Sequence, residues 1–325
     1  MTLRKFSLLI NHLGLIVAVA ALTLGGIFSR NERIRVYEGY PEQAGDLSIE
    51  LHSFSLESYD NGMPRHFASD ITAKTADGRC ISGTVEVNHP LRAGDWLIYQ
   101  YGYDQAKGDG SAYSEFLLVS DPWEAFEYAG IFLLLAGAVC LILMMPIVSD
   151  KRLKIRAIVI SILLAAVFLA ITLMGTGLRL RSLPPALQSA WFAPHIVVYM
   201  FSYACLAAST VMGVIIIIRK NVPDKTIILT DSLVYAGTSL FTIGMLFGAL
   251  WAKQAWGAFW TWDPKETCAA ITWVIYLVYL HFRKARPAKI RASAVILFLA
   301  FISLQICWWG INLIPAARAL SMHTY

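Results

Sequence analysis

Seven apolar runs constrain this chain more than any other feature, at about residues 6–28, 126–148, 155–175, 196–218, 229–250, 267–282 and 291–312. A run of roughly 20 apolar residues matches the hydrocarbon thickness of a bilayer. A helix satisfies its own backbone polar groups there. The pattern predicts a polytopic α-helical membrane protein of about seven transmembrane helices. Composition agrees, with 57% hydrophobic and 15% charged residues in 325, against about 45–50% and about 25% in soluble domains. An ordinary soluble fold is excluded. So is a disordered chain, which needs low hydrophobicity and high net charge.

The net charge of +5 is unevenly spread. Arg4 and Lys5 precede the first run. Lys151, Arg152, Lys154 and Arg156 separate the second from the third. Arg219, Lys220 and Lys225 separate the fourth from the fifth, and Arg283, Lys284, Arg286, Lys289 and Arg291 the sixth from the seventh. These four segments hold 14 of the 27 basic residues and only Asp150 and Asp224 of the 22 acidic ones. All four fall on one face of a seven-span arrangement, which the positive-inside rule makes cytoplasmic. The expected setting is the cell inner (cytoplasmic) membrane, with the N-terminus cytoplasmic and the C-terminus outside. The first run reads as an uncleaved signal anchor, because it exceeds a normal h-region and shows no small-x-small cleavage site.

Residues 30–122 form a segment of another kind. Turn signals such as Asp60-Asn61-Gly62 and Asp77-Gly78 bound alternating stretches such as Leu47-Ser48-Ile49-Glu50-Leu51 and Gly83-Thr84-Val85-Glu86-Val87. Period-2 alternation between turns predicts antiparallel strands with one wet face. The expected organisation is a transmembrane helix in 1–29, a small exported β domain in 30–122, a second helix in 123–149 and a membrane core in 150–325.

The five cysteines, Cys80, Cys140, Cys205, Cys268 and Cys307, include no Cys-x-x-Cys pair, and all five read as small hydrophobes. A dithiol redox protein and a cytochrome with its own covalent haem are not indicated. Neither a Walker A loop nor a dinucleotide fingerprint is present, and no nucleic-acid partner is expected.

The most informative stretch, 251–267, lies between the fifth and sixth runs. It reads Trp251-Ala-Lys-Gln-Ala-Trp256-Gly-Ala-Phe259-Trp260-Thr-Trp262-Asp263-Pro264-Lys265-Glu266-Thr267. An interfacial belt explains one or two Trp. Five large rings together suit a flat, apolar, planar ligand on which they stack. Asp263, Pro264 and Glu266 occupy the N-cap, N1 and N3 positions of a helix start.

Trp256-Gly-x-Phe-Trp260-x-Trp262-Asp263-Pro264-Lys265-Glu266-Thr267 resembles the WWD signature of the haem-handling superfamily, in its CcsA branch, the system II cytochrome c synthases. Val87-Asn88-His89-Pro90-Leu91-Arg92, Tyr99-Gln100-x-Gly-Tyr103-Asp104 and the stretch 53–64 are similar to the ResB (CcsB) partner. The whole resembles a compact CcsB–CcsA fusion.

Histidines beside apolar runs are costly and default to functional hypotheses, and neutral imidazole is a standard haem ligand. Trp191-x-x-Pro194-His195 and Ser321-Met-His323-x-Tyr325 resemble the family's external histidines on either side of the Trp segment. Asn11-His12-Leu13-Gly14 and Tyr279-Leu280-His281-x-Arg283 resemble its intramembrane pair. The resemblance implies that His12 and His281 ligate haem b entering from the cytoplasmic side. It implies that His195 and His323 ligate it at the outer face, against Trp251, Trp256, Phe259, Trp260, Trp262 and Asp263. Arg179, Arg181, Lys253, Lys265 and Arg318 are the cations available to the propionates. His52, His66 and His89 receive no role.

The implied activity is that of a holocytochrome c synthase, a haem-thioether lyase acting on the Cys-x-x-Cys-His of an apocytochrome c. Its partners are that apocytochrome, membrane lipid and a thioredoxin-like extracytoplasmic reductant, since thiolates attack and this chain is expected to have no dithiol of its own. The alternatives are a haem transporter or chaperone that serves a separate synthase, and a bis-His electron-transfer protein linked to quinone.

Overall fold

The computed structural model describes residues 3–143 and 183–320, with helical positions 155, 159 and 162. The rest of the third run lies outside the described residues, as do the end of the second run and His323. Among the described residues, six long helices form: α1 (Leu3–Phe28), α2 (Glu124–Leu143), α3 (Phe192–Ile218), α4 (Asp224–Trp256), α5 (Pro264–Ala285) and α6 (Ile290–Gln305). The last continues through a π turn, Ile306–Gly310, into Ile311–Leu313. Among the described residues, five helices are long and apolar enough to cross a bilayer. The chain is a polytopic membrane protein, with a β domain inserted between its first two helices.

Two helices overrun the expected limits, and both bear on the site. The fourth run was expected from 196, but α3 begins at Phe192 and takes His195 into its first turn. Pro194 is tolerated there because first-turn amides have no intrahelical acceptor. The fifth run was expected to end at 250, but α4 continues to Trp256. Its 33 residues make a helix about 50 Å long, well beyond the hydrocarbon thickness of about 30 Å. Gly257, at φ +84°, stops it in the left-handed conformation that a helix end favours.

Among the described residues, eight strands make two four-stranded antiparallel sheets. The first runs in the order β1 (Arg30–Tyr37), β8 (Tyr113–Ser120), β7 (Trp96–Tyr103), β6 (Leu91–Ala93). The second runs β2 (Glu42–Ala44), β3 (Leu47–Ser58), β4 (Pro64–Thr75), β5 (Cys80–Glu86). The Leu47, Ile49 and Leu51 side chains alternate inward with Ser48 and Glu50 less covered, as the period-2 pattern predicts. Ile71 and Val85 join them from the second sheet. Val36, Trp96, Ile98, Phe116 and Leu118 meet them from the first, closing one core between the sheets.

The halves are joined by close helix contact. A Cβ on Gly14, Gly130 or Gly137 would come within 2.7 Å of the facing α1 or α2 atoms, so those helices approach where only hydrogen fits. The α2 helix packs in turn on α4. At the start of α2, Glu124 joins three elements: its Oε2 accepts from Arg92 of β6 at 2.6 Å, and its Oε1 lies 3.4 Å from buried Lys253 of α4. Beside it a Cβ on Gly257 would strike Val119 at 2.9 Å and Tyr99 at 3.2 Å. The β domain therefore rests on the turn that opens the Trp segment.

Candidate functional site

Two sites lie at opposite ends of α5. Asp263 caps one end and His281 lies near the other, about 27 Å away by the helical rise.

At the end remote from the β domain, His12 of α1 and His281 of α5 come together. Their ring centroids are 6.3 Å apart with planes at 81°. The two helices belong to different halves of the chain, and each places its histidine through its other contacts. On α1, Asn11 lies over Gly137 of α2 and Gly14 against Leu133 and Leu134. Those contacts fix the rotation of α1. On α5, Tyr279 donates to Asp231 Oδ1 of α4 at 2.8 Å. Arg283 grips the same carboxylate through Nε at 3.0 Å and Nη2 at 2.9 Å. Residues four apart share a helix face, and a residue midway between them points to the other side. With Tyr279 and Arg283 held on α4, His281 is turned away from it toward His12.

Each of these rings is also oriented by its own helix. His12 Nδ1 lies 2.6 Å from the Leu8 carbonyl and His281 Nδ1 2.8 Å from the Leu277 carbonyl. A carbonyl only accepts, so both Nδ1 atoms donate, which leaves Nε2 as the atom a neutral ring would offer to a metal. Metal-binding histidines are oriented by the same kind of bond at their other ring nitrogen. A metal held between two imidazole nitrogens at about 2.0–2.1 Å each places the ring centroids about 6 Å apart. The observed 6.3 Å fits that spacing. Two imidazoles at this spacing would be able to hold a haem iron between them.

At the opposite end, His195 is built into a neighbouring helix. Its Nδ1 donates to the Gly244 carbonyl of α4 at 2.8 Å, again leaving the lone pair on Nε2. A Cβ on Gly248 would lie 2.7 Å from the ring, and one on Gly244 would lie 3.1 Å from Tyr199. Gly244-x-x-x-Gly248 thus forms the flat face against which α3 lays His195 and Tyr199. Tyr199 stands edge-on to the His195 ring at 4.8 Å, and Trp251 lies 5.9 Å away.

The Trp segment divides into supporting and displayed rings. Trp251 is 1% exposed, donates Nε1–H to the Ala186 carbonyl at 2.8 Å and touches Trp256 at 4.9 Å. Phe259 is buried beneath Lys253 Nζ and stands edge-on to Tyr128 of α2. These two rings back the site. Trp256 and Trp260 are half-buried, and Trp262 is 74% exposed. Trp262 has φ +60°, a conformation that non-glycine residues avoid. Its neighbours hold it there. Glu266 Oε2 accepts from the Thr261 amide at 2.8 Å and the Asp263 amide at 3.2 Å, and Thr267 donates to the Trp262 carbonyl at 3.2 Å. Asp263 is buried and accepts from the Lys265 amide at 2.7 Å, completing the capping box that its spacing predicts. Strain held in place by surrounding bonds is a mark of functional loops.

His323, Arg179 and Arg181 lie outside the described residues, as does the Arg318 side chain. Of the other cations named for propionates, Lys253 is committed to Glu124. Lys265 is half-buried, and burial holds its ammonium below the usual lysine range. Sequence reasoning missed Gly244, Gly248 and Asp231. Their signals were present: a small-xxx-small spacing and a carboxylate within an apolar run.

The family model described as "Cytochrome C assembly protein" matches residues 126–317, and that described as "ResB-like family" matches residues 2–126. The two meet in the first turn of α2. His12 falls in the second match, His195 and His281 in the first. Similar relatives named "Cytochrome c biogenesis protein CcsA" include one from Chlamydomonas reinhardtii, 37% identical over 154 residues, covering 44% of this chain and 42% of its own length. One from Agrostis stolonifera is 32% identical over 189 residues, covering 44% and 58%. One from Brachypodium distachyon is 33% identical over 192 residues, with the same shares. The chain spans about half the length of the curated relatives it matches.

Proposed function

We propose, on the premise that this chain belongs to the cytochrome C assembly protein family, that it is a cytochrome c synthase that moves haem b across the cytoplasmic membrane. The observation that carries this reading is the His12–His281 pair. It joins the ResB-like and assembly segments at a spacing suited to one iron between two imidazoles.

In this reading haem b is the substrate. His12 and His281 take it from the cytoplasmic side, and His195 with His323 receive it at the outer face. Trp256, Trp260 and Trp262 stack on its apolar faces, and Asp263 holds that segment in shape. Trp251 and Phe259 support the rings from below. An apocytochrome c then presents Cys-x-x-Cys-His. Each thiolate sulfur bonds to one carbon of a vinyl group, and a proton is delivered to the other carbon. The peptide histidine replaces one enzyme ligand and the product leaves. The chain contributes proximity and orientation, worth roughly 7–11 kcal/mol of barrier in favourable cases. A thioredoxin-like reductant outside the cytoplasm keeps the incoming thiols reduced.

The test is co-expression with an apocytochrome in a host lacking maturation machinery, with an absorption spectrum of the purified protein. The wild-type chain gives low-spin bis-His bands and a haem-stained covalent product. His12→Ala and His281→Ala each lower bound haem at least about 10-fold. His195→Ala removes the covalent product. Haem loading without any covalent product would replace the synthase by a haem transporter. Unchanged loading in both inner variants would overturn the ligand assignment.

A further inference from the structure

The fold assembles a pair of thiols that cysteine spacing conceals. Cys268 lies on α5 five residues beyond the Asp263 cap, about 7 Å along the helix. Cys307 lies in the π turn Ile306–Gly310 of the last span. Such turns are rare and recur at functional sites. Cys307 Sγ lies 3.8 Å from the Lys265 carbonyl, on the α5 face that carries Cys268 one turn on, and both cysteines pack in one cluster. Cys268 is partly exposed and Cys307 is buried. Lys265 belongs to the Trp segment, so both sulfurs sit at its foot.

Two neighbouring thiols, one reachable and one covered, suit thiol–disulfide exchange. The reachable sulfur attacks an incoming disulfide and the covered one resolves the mixed disulfide. We infer that Cys268 and Cys307 form an exchange site that reduces the disulfide of a Cys-x-x-Cys peptide arriving at the Trp segment. The choice of peptide rests on the synthase reading above.

The Cys268 thiolate attacks one peptide sulfur. The peptide S–S bond breaks, the other sulfur leaves as a thiolate, and a Cys268–peptide disulfide forms. Cys307 then gives up its proton and attacks the Cys268 sulfur. This closes a Cys268–Cys307 disulfide and releases the second peptide thiolate. The two thiol protons of this chain end on the two peptide sulfurs. Two electrons pass from the protein dithiol to the peptide. The extracytoplasmic thiol reductant restores the pair.

For the test, reduced full-length protein, freed of reductant, is mixed with a synthetic Cys-x-x-Cys-His peptide carrying its internal disulfide. Acid quench, alkylation and mass spectrometry read both partners. The expected result is one Cys268–Cys307 disulfide per chain and two free thiols per peptide. Cys307→Ser stops at a mixed disulfide on Cys268, and Cys268→Ser gives neither product. Both thiols intact beside an oxidised peptide would overturn the inference. So would exchange that persists in Cys268→Ser, or closure by diamide without closure by the peptide. The readout needs no haem, so absence of thioether product in the co-expression test leaves this result separately readable.

Discussion

The His12–His281 site and the His195 site, the inner and outer sites of the proposed path, orient their imidazoles by different means. His195 donates its Nδ1 proton to the Gly244 carbonyl of an adjacent helix and lies in the space opened by Gly248. Its orientation is a property of α3 and α4 packing, within one family segment. His12 and His281 each donate to a carbonyl of their own helix, and both rings are exposed. Nothing local fixes their separation. It depends on α1 being held by α2, α2 by α4, and α5 by the Asp231 grip. The His195 site is set by close packing, and the His12–His281 site by a chain of helix contacts that crosses from one segment to the other. A rigid station suits chemistry that needs near-attack geometry. An open pair suits a ligand that must enter and leave.

The contrast breaks most sharply at Gly248. Gly248→Val places methyl groups inside the His195 ring contact, and a displacement of about 1 Å can cost about 100-fold. Covalent cytochrome falls by about that factor, while the inner-site haem band is retained. Equal loss of both bands would erase the distinction. A smaller effect comes from Asp231→Asn, which leaves Arg283 without its carboxylate. Stability falls by roughly 3 kcal/mol, read by thermal melting in detergent. Haem held by His12 and His281 drops before any change at His195. An unaltered inner band would show that the grip of α4 does not position His281.

The smallest effect belongs to neither site. Glu115 on β8 accepts from Arg33 and Arg35, which hold its carboxyl below the usual range. A carboxylate depressed by folding stabilises fully above its unfolded pKa of about 4.3. That contribution is lost as pH falls through the folded value. The β domain therefore weakens on acidification below about pH 4, and Glu115→Gln flattens that dependence. Near-UV circular dichroism of the full chain from pH 6 to pH 3 reads it. A matching acid loss of the His195 haem band would mean that the β domain, through Gly257 and Glu124, tunes the outer site.

Much of the fold was legible because its signals are local. Apolar run length marked the spans, alternation marked β3, and Asp263-Pro264-x-Glu266 marked the start of α5. The overrun of α4 to Trp256 was hidden, because Leu250 to Trp256 differs from a loop mainly in good helix propensity. The Trp segment was visible as a group, but its division was not. Trp251 and Trp262 are the same residue type, and only their neighbours make one a buried support and the other a displayed ring.

Residue type, spacing and charge thus determined the spans, the basic face, the β insertion and the four histidines beside the membrane, because each follows from short-range chain physics. Three matters were left to the tertiary structure: how helix packing brings His12 to His281, the partner that the family resemblance implies, that Gly244 and Gly248 receive Tyr199 and His195, and that Cys307 comes near Cys268. Each joins residues separated by a helix or more. Helix rotation and close approach, which no local periodicity encodes, bring them together.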